Sequence, residues 1–147
     1  MSVLKIKKLR DNARIPCRAT AGSAGMDLYA CISDPITIAP GERAMIPTGI
    51  AIALESPAYC AFLYARSGLA VKYGIAPANC VGVIDSDYRG EVCAVLQNYS
   101  REPFTVSDGE RIAQLVIAPV ELPKICLVDS LDETERGAGG FGSTGTN

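Results

Sequence analysis

Hydrophobic and polar positions alternate in short runs along most of this chain. Leu4 and Ile6 alternate with Lys5 and Lys7, and Ile50, Ile52 and Leu54 alternate with Gly49, Ala51 and Ala53. A period of two belongs to a strand with one face turned to a core. Further runs with alternating or continuous apolar character span residues 36–38, 44–46, 59–65, 81–84, 91–97, 104–106, 112–117 and 125–128. Turn-forming residues separate them at 39–42, 55–57, 88–90 and 107–110. No stretch sustains helical periodicity, and the best helix candidate is one or two turns after Ser67, over residues 68–73. Many short strands at close spacing predict an all-β subunit, a sandwich, barrel or jelly roll, with one short helix. Composition shifts once. Asp129, Asp132, Glu133 and Glu135 give way to a glycine-rich stretch, so residues 1–135 are expected to form one domain and 136–147 an arm.

Five of the arm's twelve residues are glycine, and Phe141 is its one large apolar side chain. Such a segment cannot order itself by burying its own surface. It is either a tail or an arm for a ligand with anionic groups and a flat face. The main-chain amides would then meet oxygens and Phe141 would stack.

Bulk properties narrow the chemistry. The 147 residues are 48% apolar and 20% charged with a net charge of −2, which suits one globular domain. No general attraction to nucleic acid or membrane follows, so an anion site must be built locally from arginines, amides or a metal ion. The longest apolar runs are too short to cross a bilayer, and the first residues alternate charge with aliphatics instead of forming a secretory signal. A cytoplasmic protein is expected. The six cysteines lie at least 13 positions apart, so no Cys-x-x-Cys clip exists, and reduced, mostly buried thiols are expected. Histidine is absent. Acid–base work near neutral pH therefore falls to carboxylates, lysine, tyrosine or metal-bound water.

Four internal segments could carry such work. In residues 82–90, an apolar run from Gly82 ends in a turn with Asp85 and Asp87 two positions apart. Asp85 would sit at a sheet end, partly desolvated, as a general base or metal ligand; the plain alternative is a solvated hairpin turn. In residues 65–70, Arg66, Ser67 and Gly68 stand where the helix opens, either as an oxyanion site or as an N-cap serine beside a surface arginine. Arg111 and Gln114 are polar positions entering an apolar strand, which strand-edge polarity alone would also explain. Asp27 lies between Met26 and Leu28 and faces away from both, as any solvent-facing strand residue would. The glycines at 137, 139 and 142 spell a dinucleotide fingerprint but lack its strand and helix, and no P-loop occurs.

Taken in order, these segments resemble the five motifs of the trimeric dUTP diphosphatase (dUTPase) family. They are residues 21–28, 65–70, Asn79 with 82–90, 109–115 and 136–145, nearly the whole chain. The resemblance implies a jelly-roll-like β-clip subunit, a homotrimer with active sites at subunit interfaces, and an arm that closes over a neighbour's site. It implies hydrolysis of dUTP to dUMP and pyrophosphate with Mg²⁺, which keeps uracil out of DNA and supplies dUMP for thymidylate synthesis. Asp85 matches the general base for the attacking water. Asn79 and Gly82 match the uracil-reading hairpin, and Tyr88 the ring beneath deoxyribose. Arg66, Ser67, Gly68 and Gln114 match phosphate contacts. Asp27 matches a supporting acid, and Arg111 a structural or secondary position. Arg136 and Ser143 match arm contacts to the outer phosphates, Phe141 the ring over uracil, and Gly142 a further substrate-binding position of the arm. The metal's ligands would come mainly from phosphates and water, with none directly from the protein.

Three other readings compete. A dCTP deaminase of the same fold, or its bifunctional relative, needs a glutamate near the pyrimidine amino group that this sequence does not place there. A non-catalytic nucleotide-binding domain would have no use for Asp85. A disulfide-rich extracellular sandwich would need the thiols paired.

Overall fold

A computed structural model of the chain describes residues 3–140. The alternating runs become eleven strands, with a single helix among the described residues. In chain order these are β1 (Lys5–Lys8), β2 (Met26–Tyr29), β3 (Ile36–Ile38), β4 (Arg43–Pro47), β5 (Ile50–Ala53) and β6 (Tyr59–Tyr64). The helix α1 (Ser67–Tyr73) follows, then β7 (Ile75–Pro77), β8 (Gly82–Ile84), β9 (Cys93–Asn98), β10 (Phe104–Val106) and β11 (Arg111–Pro119). All pairings are antiparallel. A four-stranded sheet has the order β2-β11-β6-β8 and a three-stranded sheet the order β4-β9-β7, with β1-β5 and β10-β3 as two-stranded ribbons. The result is the expected all-β, jelly-roll-like sandwich.

The four-stranded sheet positions most of the site. On its inner face Leu28, Ala61, Leu63 and Leu115 are buried and join Ile38, Ile46, Ile75 and Leu96 in one core. On its outer face, the register aligns Asp27, Gln114 and Tyr64 in one row across β2, β11 and β6. The next row holds Val116, Phe62 and Val83. Val83 is 63% exposed, and the Phe62 and Tyr64 rings lie 5.9 Å apart. A polar row thus adjoins an apolar row in which Val83 is exposed and Phe62 and Val116 are half-buried.

Two elements depart from the sequence reading. Residues 125–128 form no strand, although their side chains suit one: Ile125 is 99% and Leu127 97% exposed. A strand needs a ladder partner, and among the described residues this stretch pairs with none. Conversely β7, short and containing Pro77, forms because its register with β9 supplies partners. The cysteines also differ from expectation. None is paired, but only Cys31 and Cys60 are buried, while Cys17, Cys80 and Cys126 are exposed, so packing does not account for those three.

The end of β9 is tied down by a fully buried amide. Asn98 donates to the carbonyls of Ile38 (2.9 Å) and Glu102 (2.7 Å) and accepts from the amide (2.9 Å) and hydroxyl (2.7 Å) of Ser100. All four of its hydrogen-bonding positions are filled. Replacing it strands several polar groups, so Asn98→Ala is expected to destabilise the fold by about 2–4 kcal/mol, read from the urea midpoint.

Candidate active site

Asp27 organises the first cluster. The antiparallel pairing of β2 with β11 brings it to the sheet's outer face, where it is only 14% exposed. Its Oδ1 accepts from Arg66 Nε at 2.8 Å and its Oδ2 from a terminal nitrogen of Arg111 at 3.2 Å. Both carboxylate oxygens are therefore committed to guanidinium groups, and two cations against one anion leave a local excess of positive charge. That excess lines a cavity of about 340 Å³ together with Ser23, Ser67, Gly68 and Gln114.

The helix opens on the same cavity. Arg66 is its N-cap residue, with extended backbone, and no side chain caps the first turn. The N-cap role weighed for Ser67 thus goes to the residue before it, and the Ser67 hydroxyl stays exposed. No acidic residue occupies the first turn, so the amides there keep their positive character toward the cavity. Gln114 donates from Nε2 to the Ala65 carbonyl at 2.8 Å and so holds the end of β6 in place. Gly25 approaches from the other side, where a β-carbon would lie 2.5 Å from Gln114 Oε1.

The second cluster surrounds β8. The connection from β7 tightens at Asn79, Cys80 and Val81: the Val81 amide donates to the Asn79 carbonyl at 2.7 Å, and Cys80 has φ of 62°. This γ-turn is costly for a residue with a side chain. After β8 the chain turns again, with the Tyr88 amide donating to the Asp85 carbonyl at 3.2 Å. Arg89 braces that turn by donating to the carbonyls of Ser86 and Tyr88. A cavity of about 320 Å³ results, lined by Met45, Leu63, Asn79, Gly82, Asp85 and Tyr88 among others. Its walls are mostly apolar with a few converging polar groups, the usual character of a small-molecule site. Asp85 does stand at the end of a strand, but it is exposed in the single chain, not partly desolvated as expected. The turn carries it past the last ladder partner into solvent.

The two cavities share no lining residue. Ile84 pairs with Ala61, so Asp85 lies level with Cys60. Arg66 follows six positions later, a run of roughly 20 Å at strand spacing. One chain thus sets Arg66 and its cavity well apart from Asp85. Arg136 is exposed and, among the described residues, donates from Nε to the Gly139 carbonyl at 2.9 Å. Phe141, Gly142 and Ser143 lie outside the described residues.

The family model described as dUTPase matches residues 11–145. The chain belongs to the dUTPase family. It is 54% identical to the deoxyuridine 5′-triphosphate nucleotidohydrolase of Hahella chejuensis, over 95% of this chain and 92% of that one. It is 52% identical to the protein of the same name from Desulfitobacterium hafniense, over the full length of both. In structure it is similar to the Staphylococcus bacteriophage 80alpha dUTPase solved with dUpNHpp, with a TM-score of 0.88 and 28% identity over 98% of this chain and 99% of that one. For this member of the dUTPase family, sequence reasoning missed several residues around the site. Arg10, Gly25, Gly90 and Glu91 had no role, yet each touches a site residue or its support. Gly25 and Gly90 lay inside motifs but carry no functional group, and Arg10 is brought in only by the fold.

A matched pair of substitutions checks the Gly25 contact. Gly25→Ala is expected to cost about 1–3 kcal/mol by forcing the Gln114 amide off Ala65. Gly22→Ala, whose added carbon meets nothing within 4 Å, is expected to stay within about 0.5 kcal/mol of the parent. Denaturant midpoints measure both.

Proposed function

We propose that this protein hydrolyses dUTP to dUMP and pyrophosphate at sites shared between three copies of the chain. One observation carries the reading: each chain holds two complementary halves of a nucleotide site, a nucleoside-sized pocket bearing Asp85 and an anion pocket bearing Arg66, that cannot meet within it. Both halves fall on motifs of a family whose curated relatives are named for this reaction. A second copy would bring its anion pocket to the first copy's Asp85. The outward row of Phe62, Val83 and Val116 beside Asp27 and Gln114, with Val83 exposed and the other two half-buried, gives such a copy a surface to pack on. The exposed Leu122, Ile125, Leu127 and Leu131 give it a segment to exchange.

In this reading Asn79 and the backbone of its hairpin hold the uracil edge, Gly82 leaves room beside them, and the Tyr88 ring supports the sugar. Arg66, Ser67, Gly68 and Gln114 of a neighbour hold the phosphates, steadied by Asp27 and Arg111. Residues 1–135 form the domain, and 136–147 close the site through Arg136, Phe141, Gly142 and Ser143. Asp85 accepts a proton from the attacking water as its oxygen bonds to the α-phosphorus. The bond from that phosphorus to the bridging oxygen breaks, and pyrophosphate leaves with the electron pair. Among the described residues no group of three or more acidic, cysteine or histidine side chains could cage a metal, and the Asp27 oxygens are taken by arginines. That donor set fits Mg²⁺ carried by the triphosphate and water, with the unpaired Asp85 beside it. The ion would offset phosphate charge that a protein of net charge −2 otherwise repels. No helix among the described residues is long and apolar enough to cross a membrane. Six unpaired thiols suit a reducing compartment, so the reading includes the cytoplasm.

Pyrophosphate release from dUTP, set beside dTTP, dCTP and UTP on a sample of known scattering mass, tests the activity. The expected result is turnover of dUTP alone by a particle of three chains; ammonia from dCTP, or binding without turnover, would contradict it. Asp85→Asn is expected to keep nucleotide binding and lose about 10²–10⁴-fold in kcat. Removal of residues 136–147 is expected to leave a folded trimer with badly impaired hydrolysis, measured by the same assay with mass and circular dichroism.

A further inference from the structure

Tyr88 is not a free ring at the rim of its pocket. A β-carbon on Gly90 would lie 2.5 Å from the ring's Cζ and 2.9 Å from its Cε2, so the ring is packed directly on the bare backbone of Gly90. The Tyr88 hydroxyl donates to the Glu91 carbonyl at 3.0 Å. The Glu91 carboxylate is itself held by three hydrogen bonds. It accepts from both terminal nitrogens of Arg10, at 2.6 and 3.0 Å, and from the Gly49 amide at 2.7 Å. Face contact fixes the tilt of the ring, the hydroxyl fixes its swing, and the Arg10–Glu91 fork fixes the backbone that receives the hydroxyl. The Arg10 side chain is 44% exposed, and an ion pair so exposed adds little to stability. Orientation is what remains for it to supply.

We propose that Gly90, Glu91 and Arg10 are positioning residues that seat the Tyr88 ring, and that this seat sets how strongly the site refuses a ribose 2′-hydroxyl. The inference rests on the reading of the β8 cavity as a nucleoside pocket. A ring 46% exposed and free to turn would yield to a larger sugar. A ring held at its face and at its hydroxyl cannot, and its hydroxyl proton is already committed to the Glu91 carbonyl. An apolar wall of this kind rejects an added hydroxyl by about 100-fold at most, so loosening the seat has a measurable range to act in.

The test uses equilibrium binding of dUMP and UMP, which needs no turnover and so stands apart from the test of dUTP hydrolysis. Gly90 is not among the residues with positive φ, so alanine fits its backbone and only the ring stands in the way. Gly90→Ala is expected to reduce the preference for dUMP over UMP by about tenfold, with a smaller reduction in Arg10→Met. Tyr88→Phe, which removes only the tether, keeps the test alive should Gly90→Ala fail to fold, and it too must narrow the preference. Equal losses for both nucleotides would mark a merely structural role and overturn the proposal. So would an unchanged ratio in any folded variant, or a parent protein without preference. A parent that binds dUMP selectively but hydrolyses no dUTP would overturn the proposed function and leave the seat standing.

Discussion

The register of β6 against β8 and β11 is the constraint from which the site follows. It aligns Asp27, Gln114 and Tyr64 in one outward row and Val116, Phe62 and Val83 in the next. It also sets Asp85 level with Cys60, some six residues short of Arg66. A slip of one residue would turn Leu63 and Leu115 outward and Gln114 into the core. The buried face forbids that slip, so packing against Leu28, Ala61 and Leu96 holds the functional groups where they are. The same register that builds each half-site also keeps the halves apart.

Charge is managed locally. With a net charge of −2, the protein as a whole does not attract a nucleoside triphosphate. The Asp27 carboxylate gathers Arg66 and Arg111 onto one cavity, next to a helix start with no acid in its first turn. Across the sheet, the Glu91 carboxylate is matched by Arg10, which leaves Asp85 and its turn neighbour Asp87 as the unpaired acids there among the described residues. Asp27 thus orients two cations and Glu91 is neutralised by one, while Asp85 and Asp87 stay unpaired in their turn.

Much of this could be read in the sequence, because its period-two runs and turn residues report directly on strands and their ends. The run at 104–106 became β10 without change, and 59–65 became β6 to within a residue. The strand expected at 125–128 failed for a reason no single sequence displays: its side chains suit a ladder, but it docks on no edge strand of its own fold. The partial burial expected for Asp85 failed likewise, since burial depends on what else covers the turn. Gly25 and Gly90 stayed silent because their contribution is the absence of a side chain, visible only when Gln114 or Tyr88 lies against it. The Arg10–Glu91 pair joins positions 81 apart and has no local signal at all.

The central claim is that each site is completed by groups from more than one copy of the chain. Refolding two inactive variants together, one lacking the Asp85 carboxylate and the other lacking the Arg66 guanidinium, tests it most directly. If the halves come from different chains, mixed particles contain some sites with both groups intact, and hydrolysis must rise well above either parent refolded alone. Mixed particles verified by mass but no more active than their parents would contradict the account.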